Sequence, residues 1–391
     1  MKTKSAFPAA LIVGLSILHL PRVFGQGDLT PPPGPPSPTM KTLDQVEARI
    51  IVNATNTPGD AANTFIISAP GSYYLTGNIT GTPGVNGISI QANDVTLDLN
   101  GFALISGGGG NFRGVNVPAV QTGFSIRNGS VRGWTDGGVR ADNATTLAEK
   151  VRVTDNTNAT GLTVGNGSLV RDCVATANKT GFSAADRTQL SNCIATVNTE
   201  VGFVGGGFVS LLDCTSSRNG YTGIVVQGTS SVIHCTATRN GTATANPNSP
   251  FHGIVTGTGC TVSDCTAGSN VVNGINVDSG TTVRNCTLYA NGNLGILATS
   301  DCHIVGNSSN SNNGGIHATG GGNRVDGNSC SANTIVGVQV TGDGNLVIRN
   351  SAHGSGLNFS INMGINAVGP IVDMTAAGVI TSTSPWANFS Y

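Results

Sequence analysis

Three side chains invite a catalytic reading. Asp213, His234 and Asp264 occupy matching places in successive copies of a short motif, 21 and 30 residues apart. Carboxylates flanking an imidazole are suited to moving protons. A second set, Phe251, His252, Asn276 and His317, joins an aromatic ring to uncharged hydrogen-bonding groups, which suits a shallow binding surface. Nine cysteines add disulfides and metal binding as further options. No CxxC or HxxxH spacing occurs, so no metal set and no cofactor is expected.

The first set has a competing explanation. Its column in full reads Asp172, Asn192, Asp213, His234, Asp264, Asn285, Gly306 and Gly327. Asp, Asn, His and Gly are the types that best tolerate a positive φ. A left-handed backbone corner therefore accounts for the whole column, and a catalytic role for only part of it. No catalytic residue is assigned.

The motifs around these residues define the elements that carry them. Gly followed by a large apolar residue begins at Gly161, Gly181, Gly202, Gly223, Gly253, Gly274, Gly295, Gly315 and Gly337, with looser copies at Gly87, Gly114 and Gly138. The interval is 20 to 22 residues except for the 30 before Gly253. In step with it runs a second motif, from Val170-Arg171-Asp172-Cys173 to Val325-Asp326-Gly327-Asn328. Repeats of this length signal a solenoid. Val170, Leu190, Leu211 and Val232 form one inward column, and Cys173, Cys193, Cys214, Cys235, Cys265 and Cys286 form another, continued by Asn307, Asn328 and Asn350. A spacing of three between these columns breaks the two-residue period of a strand, which requires the corner between them. Asn178, Asn198, Asn219, Asn240, Asn270, Asn291, Asn312 and Asn333 mark a second corner, where stacked amides can form a ladder.

This pattern resembles the right-handed parallel β-helix proteins of the pectate-lyase-like superfamily, and within it the NosD-like repeat group. The resemblance covers Gly71 to Ile348, with Gly71–Ile79 and Val95–Gly101 as first coils. It implies an all-β, right-handed parallel β-helix of about twelve coils with a short N-terminal capping helix. It does not imply one chemistry, because a fold hosts many functions. The Asn-Thr-Asp, Asp-Asp and Arg-Ile-Lys signatures of polygalacturonases are missing, as is the Arg-x-Pro-x-x-Arg of pectate lyases. No copper-binding cluster of His, Met and Cys supports a role like that of NosD.

The register also decides how the cysteines are read. Stacked in inward columns, they act as small apolar side chains. Neighbours would present near-parallel Cβ vectors, a poor geometry for a disulfide. Reduced core thiols are the leading expectation and column disulfides the alternative.

The outward position of the Gly-apolar strand is the natural platform for a ligand. From Thr163 onward it reads Ser183, Val204, Val225, Val255, Asn276, Leu297, His317 and Gln339, without a carboxylate. The long interval holds an insertion, Gly241–Pro250, leading into Phe251 and His252. Solenoid insertions often build a binding wall. The four residues Phe251, His252, Asn276 and His317 would line a mostly uncharged trough suited to a neutral polysaccharide or cell-surface glycan.

Composition sets the remaining limits. Glycine is 56 of 391 residues, only 10% are charged, and three are glutamate, which excludes a mostly helical protein. A net charge of −1 gives no nucleic-acid footprint. Lys2, Lys4 and the apolar run Ala9–Leu20 read as a signal peptide over residues 1–25, so the protein is expected to be secreted or on the cell surface. No run is long enough for a transmembrane span. Residues 26–41 are a Pro-rich linker. Met40, Leu43 and Val46 share a helical face, placing a capping helix at Thr42–Arg49. The β-helix domain is then 42–391, with caps at 42–70 and 357–391. The expected protein is a monomeric, exported carbohydrate-binding or structural protein. A carbohydrate-active enzyme (lyase, hydrolase or epimerase) is the alternative.

Overall fold

The computed structural model describes residues 47–241, 251–376 and 378–391. Short strands joined by tight corners repeat along the chain, and each pairs in parallel with its counterpart one period later. Leu162 thus faces Phe182, then Phe203, Ile224, Ile254, Ile275, Ile296, Ile316, Val338 and Phe359. The result is a parallel β-solenoid with one 14-stranded and one 28-stranded sheet. A repeating coil gives one strand to the smaller sheet and two to the larger.

The expected inward columns are the core. Val170, Leu190, Leu211 and Val232 are fully or almost fully buried, as are all nine cysteines, which are free thiols. Phe182 and Phe203 stack with centroids 5.0 Å apart and planes 10° from parallel. Trp134 is buried against a glycine cradle: a Cβ on Gly81 would come within 2.6 Å of its ring. Packing therefore accounts for this tryptophan.

Each coil turns at left-handed residues. Asp172, Asn192, Asp213, His234, Asp264 and Asn285 have φ of 51–57°, and Gly306 and Gly327 of 66° and 64°. The expected second corner, at the asparagines, has its left-handed residue one place before each: Ala177, Val197, Arg218, Arg239, Ser269, Ala290, Ser311 and Ala332, at 51–56°. A third includes Arg187, Phe208 and Thr229, at 57–59°. Left-handed backbone costs an L-residue about 1–2 kcal/mol, so the stacked hydrogen bonds on either side must hold it.

The asparagine ladder supplies much of that holding. Asn178 donates from Nδ2 to Asn198 Oδ1 at 3.1 Å, and the series continues link by link to Asn333. Each Oδ1 also accepts the preceding ladder residue's backbone N–H. A second ladder links Asn307, Asn328, Asn350 and Asn388 where the cysteine column ends.

Two expectations about the ends change. No helix occurs among the described residues: Ile50–Ile51 is a strand pairing with Tyr73–Tyr74, and residues 42–46 of the expected helix lie outside them. Arg49 instead covers the Tyr74 ring at 4.4 Å and pairs with Asp98 at 3.5 Å. The smaller sheet has fourteen strands, against about twelve expected coils. The additional strands, Asn63–Ile67 and Leu357–Ile361, lack the glycine that marks other copies. The expected signal peptide (1–25), the expected linker (26–41) and residues 242–250 of the insertion also lie outside the described residues.

Candidate functional site

The outward column of the 14-stranded sheet is continuous from end to end. It reads Ile66, Ser89, Asn116, Arg140, Thr163, Ser183, Val204, Val225, Val255, Asn276, Leu297, His317, Gln339 and Ser360. Strand alternation fixes this face, because every flanking residue that packs the core points the other way. Along it, a charged segment gives way to an uncharged one.

Asn276 and His317 share the uncharged segment, separated by Leu297. His317 is half-buried, with Nε2 3.1 Å from Thr341 Oγ1, and burial lowers its pKa. Phe251 and His252 lie just before strand Ile254–Thr256 rather than in the column. Phe251 packs against Tyr221 with centroids 5.9 Å apart. His252 is only 9% exposed and ties neighbouring coils together. Its backbone N–H donates to Thr222 Oγ1 at 3.4 Å, and its Nδ1 accepts from the Asn273 backbone at 3.2 Å. Nε2 therefore carries the proton, and burial pushes the imidazole pKa down to about 4.

The charged segment was missed in the sequence. Asp136, Arg140, Asp142, Thr163, Lys179, Ser183 and Glu200 line a groove of about 340 Å³. Arg140 approaches Asp136 at 3.8 Å and Asp142 at 3.4 Å. Arg113 Nε meets the same oxygen, Asp136 Oδ2, at 2.8 Å, and its Nη1 donates to Asn116 Oδ1 at 2.9 Å. Lys179 sits 3.7 Å from Glu200. Three cations thus meet three carboxylates. Such a set presents oriented donors and acceptors with no net charge, and hydroxyl groups can compete for both. The signal was the third residue of Gly138-Val139-Arg140-Ala141, in one of the looser repeat copies.

The Asp213–His234–Asp264 column behaves as corners. His234 Nδ1 is 3.6 Å from Asp213 Oδ1, and both side chains are more than half exposed on the ridge. Asp264 accepts instead from Asn285 Nδ2 at 3.2 Å. No cleft gathers the three. Among the described residues, no group of three or more His, Cys, Asp or Glu side chains is placed to hold a metal ion. No helix among them is long and apolar enough to cross a membrane.

Comparison with solved structures returns the same architecture. The A-module of mannuronan C-5 epimerase AlgE4 from Azotobacter vinelandii aligns with a TM-score of 0.52 and 15% identity, over 76% of this chain and 91% of that one. The AlgE6 A-module from the same organism gives 0.47 and 16% identity, over 82% and 91%. The periplasmic alginate epimerase AlgG gives 0.45 and 11% identity, over 88% and 82%. At such identities, the AlgE4 likeness shows the fold alone. No curated protein matches this chain. The model of the family described as right handed beta helix region matches residues 113–255 and 205–353, more than half of the sequence. With its repeats, stacked strands and polar ladders in agreement, the chain belongs to the right handed beta helix family.

Proposed function

We propose that this protein acts outside the cell or at its surface, where it binds a neutral polysaccharide or surface glycan without altering it. The binding face is the outward column of the 14-stranded sheet. The observation that carries the reading is the balanced groove around Arg140, which opens onto a long uncharged track on the same face. Extended glycans suit such a track because successive coils repeat about every 4.8 Å. The paired groups Arg113–Asp136–Arg140–Asp142 and Lys179–Glu200 leave no surplus charge to favour a polyanion. Each carboxylate there is already engaged by a cation, which supports holding a ligand over transforming it. That AlgE4 is by name a mannuronan epimerase supports a polysaccharide as the ligand class.

Affinity electrophoresis through gels containing neutral β-glucan, galactomannan or xylan tests the reading. Retardation on at least one, weakened about tenfold or more by Arg140→Ala, is expected. Equal mobility on every gel would remove the proposal. Catalysis is the second reading, favoured by Arg140 lying between two carboxylates in a groove. New reducing ends or unsaturated products from any polysaccharide in the same panel would establish it instead. A mature protein in the culture medium beginning at Gln26 would support export.

A further inference from the structure

A second cavity lies on the 28-stranded sheet, near the C-terminal coils. Strands Arg324–Asp326, Leu346–Ile348 and Ala367–Val368 stack in register, so Arg324, Leu346 and Ala367 form one row and Asp326 and Ile348 another. Val325 and Val347 point into the core, which turns both rows outward. Arg324, Leu346, Ile348, Val368, Pro370 and Trp386 line a cavity of about 460 Å³. That size falls within the usual range for small-molecule sites.

Its electrostatics are built. Asp326, with a side chain 3% exposed, accepts from Arg324 Nε at 3.0 Å and Nη2 at 2.7 Å. It also accepts from Arg349 Nε at 2.7 Å, with a second contact from Nη2. Arg349 lies 5.5 Å from the Trp386 ring centre, a cation–π distance. Burial opposes the Asp326 charge, but the hydrogen bonds and charges of Arg349 and Arg324 prevail and keep its pKa below the usual value. Two guanidinium groups against one carboxylate leave one positive charge beside an apolar wall. Arg324 Nη1 has no acceptor among the described residues. A sugar would find few hydroxyl partners on that wall.

We propose that this cavity binds a small amphiphilic carboxylate, with its apolar body against Leu346, Ile348, Pro370 and Trp386 and its carboxylate on Arg324. Charge complementarity selects the anion, and a guanidinium forms stronger hydrogen bonds to a carboxylate than to a neutral group. This site is independent of the glycan face and does not rest on it.

The test uses octanoate and the protein's own fluorescence. Of the two tryptophans, Trp134 is 1% exposed and Trp386 is 51% exposed, so iodide quenching reports chiefly on Trp386. Octanoate should protect the quenchable emission saturably, whereas 1-octanol and octylammonium at equal concentration should not. Arg324→Gln should weaken protection at least tenfold, Arg324→Lys should retain most of it, and Trp386→Phe should remove the signal. Protection by 1-octanol equal to that by octanoate, or no saturable protection at all, would overturn the proposal. These comparisons use the unaltered protein, so they decide the matter even if Arg324→Gln fails to fold.

Discussion

Asn219 donates from Nδ2 to Asn240 Oδ1 at 3.0 Å while its own Oδ1 accepts from Asn198 at 2.9 Å. The same oxygen takes the Asn198 backbone N–H at 3.1 Å, and the same nitrogen reaches Ser216 Oγ and Ala195 O. Every polar atom of a fully buried amide is therefore used, and all but the Ser216 contact cross from one coil to the next. Left unmade in so dry a setting, such bonds are costly.

Asn219→Ala should accordingly destabilise the solenoid by about 3 kcal/mol, because donors on Asn198 lose their acceptor with no water to replace it. Urea denaturation followed by circular dichroism measures this. A loss below about 1 kcal/mol would mean that the ladder is not an energetic support.

Val197 predicts the opposite sign. It is β-branched, holds φ at 56° and is 51% exposed, so it carries backbone strain without core packing in return. Val197→Asn should stabilise by about 1 kcal/mol. The same denaturation assay reads it as a rise in midpoint.

The thiols should be hidden and reduced. Burial alone pushes the Cys330 thiol up to about 12 and also raises those of Cys260 and Cys302. Iodoacetamide at pH 8 should leave the native protein unlabelled, and guanidinium should expose nine reactive thiols. Since Cys330 ionises near 9 when unfolded, it favours the folded state below pH 9, and that contribution is lost as pH rises toward 12. Fewer than nine labels after unfolding without reductant would show disulfides.

His252 sets an acid limit. Its folded pKa of about 4 lies below the unfolded value of 6.5, so the unfolded chain binds the extra proton between them. Stability should therefore fall as pH drops from 6.5 toward 4, by about 2 kcal/mol at pH 5. His252→Gln should flatten that part of the profile of urea midpoint against pH.

What the sequence revealed depended on whether side-chain type reports backbone geometry. The corner at Asp172, Asn192 and Asp213 was readable because those residues suit a positive φ. At the second corner the asparagines were readable but the left-handed residue before each, such as Val197, was not, and the corner at Phe208 and Thr229 was not readable at all, since neighbouring coils force residues with no such preference into the same shape. Inward columns followed from alignment alone. At the site, Asn276 and His317 fell on the expected face, while His252 was drawn into coil-to-coil bonding by a backbone N–H three-dimensionally beside it. The groove at Arg140 escaped because its partner Arg113 comes from the preceding coil and its neighbour Lys179 from a later one. Such proximity is set by stacking order rather than by local pattern.

The coil with the long interval keeps every pairing of its shorter neighbours. Ile224 meets Ile254, Val232 meets Val262, and Asn240 still donates to Asn270 at 3.1 Å. On either side of the surplus sequence, Gly241 donates to Asn219 O at 2.9 Å and Phe251 O accepts from Val272 at 3.0 Å, so both flanks stay in phase with the coils. For an engineer, this is a ready-made socket. Foreign peptides spliced there, whether epitopes, tags or sensor loops, would be displayed at a fixed address with the scaffold's lattice untouched.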